Sequence, residues 1–81
     1  MQVLYFAWLR ERIGVPREEV ETTAATVSDL IAELAAREER YALAFSDMTA
    51  VRVAVDQELV DLHTPLAGVR EVAFFPPMTG G

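Results

Sequence analysis

A chain of 81 residues, 52% of them hydrophobic and 25% charged, is long enough for one globular domain and too apolar to be disordered. The absence of cysteine excludes a disulfide scaffold, an iron–sulfur cluster, a thiolate zinc site and a thiol nucleophile. The net charge of −6, in which all seven basic residues are arginine, argues against nucleic acid as a partner because phosphates would be repelled. No apolar run is long enough to cross a membrane, and residues 1–5 lack a signal-peptide pattern, so we expect a cytoplasmic protein.

The first predicted element is a strand over residues 1–9, which are apolar and rich in aromatic side chains. Its end has an alternative interpretation, because Leu9 and Ile13 are four apart and fit one face of a short helix. Gly14 then ends the segment. The more polar residues 18–23 predict a second strand at an edge of the sheet, where charge deters unwanted pairing.

The clearest element is a helix over residues 27–39, whose apolar side chains recur at the spacing of one helical stripe. Thr26 is a suitable N-cap, and Asp29 three residues later completes a pattern like a capping box and favours the positive end of the helix. The apolar run at residues 41–45 is short, and it predicts a bridging turn.

The second half of the chain predicts three more strands. Residues 51–55 alternate valine with other side chains, and residues 56–58 predict a tight turn into a short strand at 59–60. Residues 71–75 are apolar on both faces, which is typical of a strand in the centre of a sheet, and two prolines end them. This order predicts an α+β domain over residues 1–77, with one mixed sheet packed on one main helix.

The internal side chains show no pattern that would form an active site or a metal site. The only histidine, His63, lies in a predicted loop without partners at the spacing that a metal or a catalytic base requires. Ser28 and Ser46 lack a nearby base and a nucleophile-elbow motif. We therefore expect no bound metal or cofactor, and the end of the chain remains as the candidate for chemistry.

Residues 78–81 are predicted to form an extended C-terminal tail, because the prolines before them favour an extended exit from the last strand. Four extended residues reach at most about 13–14 Å. Gly80 and Gly81 lack Cβ atoms, so they form the thinnest peptide possible and suit insertion of a terminal carboxylate into a narrow pocket of another protein. The alternative is an ordinary loose terminus, although a chance Gly-Gly ending is expected in only about 0.5% of chains.

The sequence resembles the small, sulfur-carrying subunits of molybdopterin synthase, which belong to the ubiquitin-like β-grasp class. The resemblance covers the full length and rests on the segments VLYFAWLRERIG, TVSDLIAEL and AVDQELV and on the ending EVAFFPPMTGG. Similar carriers that serve thiamine synthesis or tRNA thiolation also end in Gly-Gly, but they usually lack the Phe-Phe-Pro-Pro run. Asp56 departs from the family pattern, in which asparagine is expected at this turn.

The resemblance implies a β-grasp fold with a flexible Gly-Gly tail. A separate adenylyltransferase, similar to ubiquitin-activating enzymes, would use ATP to adenylylate Gly81, and the product would accept sulfur to become a thiocarboxylate. The thiocarboxylate would attack cyclic pyranopterin monophosphate to form the dithiolene of molybdopterin. The chain would be a non-catalytic, sulfur-donating subunit, and its partner would be the large synthase subunit in a heterotetramer. A carrier for thiamine synthesis or tRNA thiolation and a ubiquitin-like protein modifier remain as alternatives.

The partner-binding surface is predicted to be partly apolar, with Phe6, Trp8, Phe74 and Phe75 as its candidate aromatic residues. Strand alternation requires that one of the two adjacent phenylalanines faces the core and the other faces outward. The resemblance favours Phe75 as the outward one, with Arg10 as a charged contact nearby. The full contact set that it implies is Phe6, Arg10, Phe75, Pro76, Met78 and Thr79, in addition to the reactive Gly80-Gly81 end.

Overall fold

The computed structural model describes residues 1–77, and it has the predicted α+β architecture, with a mixed sheet on one side and helices packed on one of its faces. Residues 78–81, for which we predict an extended tail, lie outside the described part of the chain. The sheet has five strands in the order β2-β1-β5-β3-β4. In chain order these strands are β1 (Gln2–Tyr5), β2 (Arg17–Glu19), β3 (Arg52–Val55), β4 (Glu58–Val60) and β5 (Glu71–Phe75).

The last strand, β5, lies in the centre of the sheet, as predicted. It pairs in parallel with β1 and antiparallel with β3. Its three middle residues, Val72, Ala73 and Phe74, are buried. Because the C-terminal segment follows directly from β5, it leaves the domain from the centre of the sheet and not from an edge.

The first strand is shorter than predicted, because it ends at Tyr5 and residues Ala7–Ile13 form helix α1. The helical alternative for this segment is therefore confirmed, and the strand prediction for residues 7–9 is wrong. Leu9 and Ile13 are both buried, and one turn of helix between them lets both side chains reach the core. Gly14 ends the helix in the left-handed region with φ of 97°, which costs glycine little.

The second strand occupies the predicted edge position but covers residues 17–19 and not 18–23. Val20 follows it with 1% of its surface exposed, so the chain turns into the core directly after β2. The Val20 N–H donates to the carbonyl oxygen of Met1 at 2.8 Å, which holds this end of the strand pair together.

Helix α2 (Val27–Arg37) begins where the sequence predicts. The Thr26 hydroxyl oxygen accepts a hydrogen bond from the Asp29 N–H at 3.2 Å, which satisfies one of the free donors at the helix start. The stripe of apolar residues faces the sheet, and Val27, Leu30 and Leu34 are fully buried. This helix is the main layer packed against the sheet.

A separate helix α3 (Glu39–Ala44) replaces the bridging turn that we predicted at residues 41–45. Glu38 has an extended backbone with φ of −151°, so α2 stops two residues before its predicted end and the chain starts a new helix. Tyr41 and Ala44 lie one turn apart and are both buried against the core. A short 3₁₀ turn, Met48–Ala50, then leads into β3.

Aromatic side chains form the centre of the core between the sheet and the helices. The ring of Phe74 on β5 stacks on that of Tyr5 with 6.2 Å between centroids, and it meets the edge of Phe45 at 4.9 Å. Phe74 has no exposed surface. It therefore links the two central strands to the segment that follows α3.

The predicted tight turn joins β3 to β4 through Asp56 and Gln57, which both have positive φ, 48° and 71°. Two-residue hairpins require this conformation, and glycine or asparagine usually provides it. The Asp56 carboxylate accepts hydrogen bonds from the backbone N–H groups of Arg70 at 3.1 Å and Glu71 at 3.0 Å. Asp56 thus supplies the acceptor oxygen that an asparagine would supply, and it ties the turn to the start of β5.

Candidate functional site

One face of the sheet carries the helices, and the central part of the other face is open and apolar. A single row of paired residues crosses all five strands on this open face. Leu4 of β1 pairs with Arg17 of β2 on one side and with Ala73 of β5 on the other. Ala54 of β3 pairs with Ala73 and with Leu59 of β4, whose side chain is 67% exposed. Four of the five residues in the row are apolar.

An open groove of about 630 Å³ lies on this face along β5, and we call it the sheet-face groove. Two residues at the start of β5 and in the β3–β4 turn, Glu71 and Gln57, form its polar end. The rest of the lining is apolar and consists of Leu4, Phe6, Ala54, Ala73, Phe75, Pro76 and Pro77. The groove therefore offers an apolar contact surface with hydrogen-bonding groups at one end only.

Three of the contact residues that we predicted, Phe6, Phe75 and Pro76, lie together in the lining of this groove. Phe6 is 46% exposed and sits in the connection between β1 and α1, where its N–H donates to the carbonyl oxygen of Phe74 at 3.1 Å. This bond holds Phe6 beside the end of β5. Phe75 faces outward and Phe74 inward, which is the arrangement that strand alternation and the resemblance favoured.

The remaining predicted site residues are placed elsewhere or are not described. Arg10 is exposed on α1 and does not line the groove. Trp8 is half-buried against the edge of the core, and the Arg12 guanidinium lies 5.1 Å from the centre of its ring. The predicted contacts at Met78 and Thr79 and the reactive Gly80-Gly81 end fall outside the described residues.

Sequence reasoning did not identify Leu4, Ala54 and Ala73 as part of a site. Each of them is next in sequence to a buried valine on its strand. Because neighbouring residues of a strand point to opposite faces, this alternation predicts that the three side chains point away from the core. Apolar side chains on an outward face indicate a surface that binds another molecule, and this was the feature of the sequence that could have identified the site.

The chain leaves the domain at the groove itself, because Pro77, the last described residue, is part of the lining. Four residues follow Pro77, and they span at most about 13–14 Å when extended. A protein that receives the terminal glycine in a pocket must therefore approach the domain closely on this side. The groove lies where such a protein would make contact.

His63 belongs to no metal-binding group within the described part of the chain. His63 is exposed, and its backbone N–H donates to the carboxylate of Asp61 at 2.8 Å. Within residues 1–77, no group of three histidine, aspartate or glutamate side chains is arranged to hold a metal ion. No helix in this part of the chain has the length and apolar character needed to span a membrane.

A part-buried hydrogen-bonded cluster on the helical side joins several elements of the domain. The Glu18 carboxylate on β2 accepts hydrogen bonds from the hydroxyl of Tyr5 at 2.8 Å and from that of Tyr41 at 2.5 Å. Arg40 lies over the Tyr41 ring at 4.9 Å and donates to the carbonyl oxygen of Ile13 at 2.5 Å. The cluster therefore connects the sheet, α3 and the end of α1.

The cluster predicts a loss of stability at high pH. Burial and then the hydrogen bond to Glu18 raise the pKa of Tyr41 from 10.0 to about 12, and the same causes raise the pKa of Tyr5. Since the folded state holds these protons more tightly than the unfolded state, the contribution of Tyr41 is fully present below pH 10 and is lost between about pH 10 and 12. Urea unfolding at a series of pH values should show this decline.

The variant Tyr41→Phe is the control for this prediction, because its side chain cannot ionise and its stability should fall less over the same pH range. Tyrosinate absorbance gives an independent readout, since the chain has two tyrosines and both donate to Glu18. Half-ionisation of both phenols near pH 10 in the folded protein would contradict the prediction.

Comparison with known proteins identifies a family and similar sequences. The sequence pattern of the ThiS family matches residues 3–81 of the chain. The protein named molybdopterin synthase sulfur carrier subunit of Escherichia coli (strain K12) is 44% identical over 81 residues, which cover 100% of this chain and 99% of that protein.

Two solved structures are similar to the fold. The crystal structure of SAMP1 from Haloferax volcanii has a TM-score of 0.74 and 26% identity, and the match covers 100% of this chain and 98% of that one. The putative molybdopterin converting factor, subunit 1, of Pyrococcus furiosus has a TM-score of 0.71 and 31% identity, with 95% of both chains covered. The fold is thus the ubiquitin-like fold that the sequence predicts, and the chain belongs to the ThiS family.

Proposed function

We propose that this chain is the sulfur carrier subunit of a molybdopterin synthase and that it delivers sulfur as a thiocarboxylate on Gly81. The observation that carries the proposal is the position of the apolar sheet-face groove beside Pro76 and Pro77, from which a segment ending in Gly-Gly departs. The name and the 44% identity of the Escherichia coli relative over the full chain length support it. In this proposal residues 1–77 are the β-grasp domain and residues 78–81 are an extended tail.

The terminal carboxylate requires activation, because a carboxylate is a poor electrophile at neutral pH. In the proposed reaction a separate adenylyltransferase uses ATP, so that an oxygen of the Gly81 carboxylate bonds to the α-phosphorus and pyrophosphate leaves. A sulfur nucleophile from a donor then displaces AMP and leaves a thiocarboxylate on the chain. The chain contributes a terminus without side chains, which a narrow active site can admit.

The second half of the reaction is proposed to occur on the large synthase subunit. The thiocarboxylate sulfur attacks the pterin precursor, cyclic pyranopterin monophosphate, and displaces an oxygen substituent to form a thioester between the carrier and the pterin. Water then cleaves the thioester, which returns Gly81 as a carboxylate and leaves the sulfur on the pterin, and two such transfers build the dithiolene of molybdopterin. The acid and base groups are assigned to the large subunit, because it would hold the pterin precursor at the site of reaction. The contribution of this domain is to hold the sulfur in a productive position.

The sheet-face groove is proposed as the surface that binds the large subunit. Phe6 and Phe75 project from it beside the exit of the tail, and large aromatic residues at the centre of an interface usually carry much of the binding energy. A partner that receives the tail would also cover this apolar surface, which accounts for its exposure in the isolated domain. The activating enzyme must receive the same terminus and is proposed as a second partner.

The decisive experiment is to produce the chain together with its adenylyltransferase and a sulfur donor and to determine its intact mass. We expect a mass increase that corresponds to replacement of one oxygen by sulfur, located by fragmentation at Gly81. The charged chain, mixed with the large subunit and the pterin precursor, should then form molybdopterin. No mass increase under conditions that charge the Escherichia coli relative would overturn the proposal, and covalent adducts with other proteins would point to a protein modifier.

A further inference from the structure

Gln57 occupies a backbone conformation that disfavours its side chain. It is the second residue of the two-residue β3–β4 turn, with φ of 71°. Glycine adopts this region without steric cost, whereas a residue with a Cβ atom is strained there. Strained residues persist mainly where the surrounding structure or a function requires them.

Asp56, the other residue of the turn, has a structural role within the domain, whereas Gln57 has none among the described residues. Asp56 also has positive φ, but its carboxylate accepts two backbone N–H groups at the start of β5. Gln57 is exposed, and within residues 1–77 its amide takes part in no hydrogen bond that would compensate for the strain. The amide of Gln57 is thus available for a contact outside the described part of the chain.

The side chain of Gln57 lies at the polar end of the sheet-face groove beside Glu71. The Glu71 carboxylate forms no ion pair with the described basic residues. Glu71 begins β5 and Phe75 ends it, so the polar end of the groove is roughly 13 Å from Phe75 along the strand. One end thus presents two oxygen acceptors, and the other presents an aromatic anchor beside the tail.

We propose that Gln57 is a partner-contact residue whose amide oxygen, together with the Glu71 carboxylate, binds a cationic side chain of the large synthase subunit. The inference rests on the function proposed above. A cation is the complement of an amide oxygen beside a carboxylate, and the net charge of −6 favours a basic partner surface. The tail also requires the partner to cover this groove, since Pro77 lines it and only four residues follow.

The two contacts have a common consequence for the geometry of the complex. An apolar contact at Phe75 alone allows the partner to shift or rotate on the groove. A second, directional contact at Gln57 and Glu71 sets the angle at which the partner lies along β5. Since the tail leaves the groove at Pro77, this angle determines where the terminal glycine enters the partner.

The test compares Gln57→Gly with Gln57→Ala, because both remove the amide but only glycine relieves the strain. Binding of each purified chain to the large subunit is measured by titration calorimetry, and thermal unfolding is measured in parallel. We expect both variants to bind roughly three- to tenfold more weakly than the unaltered chain. The unfolding midpoint should rise by roughly 2–6 °C for Gln57→Gly and stay within about 1 °C for Gln57→Ala.

A second pair of variants tests the cation. Glu71→Gln should weaken binding roughly tenfold and reduce its salt dependence, and the Gln57→Ala/Glu71→Gln double variant should lose less than the product of the two single losses. Glu58→Gln, next to the turn but outside the groove, makes the same charge change and should leave binding unaltered.

Unchanged binding by both Gln57 variants, while the unaltered chain binds the large subunit, would overturn this inference and leave the proposed function intact. Failure of the unaltered chain to bind the large subunit would remove the proposed function, and this inference would fall with it. A drop in the unfolding midpoint of Gln57→Gly would show that the turn is not strained, which contradicts the premise.

Discussion

Deletion of Gly81 is expected to abolish sulfur loading and molybdopterin formation while leaving the unfolding midpoint of the domain unchanged. The shortened chain would end about 3.5 Å earlier, and adenylylation requires the carboxylate to approach its target phosphorus to within roughly 3–3.5 Å. Among residues 1–77, the buried core extends from Val3 to Phe74, and we expect the loss of one residue without a side chain to leave the unfolding midpoint unchanged. Intact mass after co-production with the adenylyltransferase measures the loading, and thermal unfolding measures the fold.

A matched variant, Gly81→Ala, separates the length of the terminus from its thickness. It keeps the carboxylate at the same position along the chain but adds one Cβ atom, and we expect loading to slow roughly tenfold or more because the tail must pass through a narrow site. A truncated chain that still acquires sulfur, or that still supports molybdopterin synthesis in a strain without another carrier, would contradict the assignment of Gly81.

The adjacent residues Phe74 and Phe75 provide the second large effect. Phe74→Ala is expected to lower the free energy of unfolding by about 3–5 kcal/mol, because the ring is fully buried and contacts both Tyr5 and Phe45. The total stability of a domain of this length is on the order of 4–12 kcal/mol. The variant should therefore lose a large fraction of its stability, and urea denaturation followed by circular dichroism should show a much lower midpoint.

Phe75→Ala is the control for the fold and a test of the interface. The ring faces outward into the sheet-face groove, so we expect a loss of stability below about 1 kcal/mol. Binding to the large subunit should weaken roughly 30-fold or more, which is the effect of removing an aromatic residue at the centre of an interface. Equal destabilisation by the two substitutions would contradict the assignment of the two faces of β5, and normal binding by Phe75→Ala would contradict the groove as the docking surface.

Elements with a strong local pattern were predictable from the sequence. The start of α2 follows from its cap at Thr26 and its apolar stripe, and β5 was placed in the centre of the sheet because both of its faces are apolar. The first helix was harder, because its apolar residues continue those of β1 without a polar break. Helix α3 has only six residues, which is too short for its period to stand out from a turn.

The site was predictable only in part, because its shape depends on pairing between distant segments. Phe6 and Phe75 follow from their aromatic character, and these two residues and Pro76 also follow from the resemblance of the sequence to a known family. Leu4 and Ala54 come together only through their neighbours on β5, and no local pattern contains that register. Arg10 lies on α1 and is not part of the groove lining, so its predicted role as a charged contact near Phe75 stays a prediction.

The central position of β5 has a mechanical consequence under the proposed function, in which a partner receives the end of the chain. A partner that draws the tail into its own cavity applies tension along β5, nearly at right angles to the hydrogen bonds that join it to β1 and β3. Those bonds then resist in shear, and many must break together before the strand slides. An edge strand would instead be held on one side only, so the placement of β5 lets the terminus be pulled taut while the domain behind it stays intact.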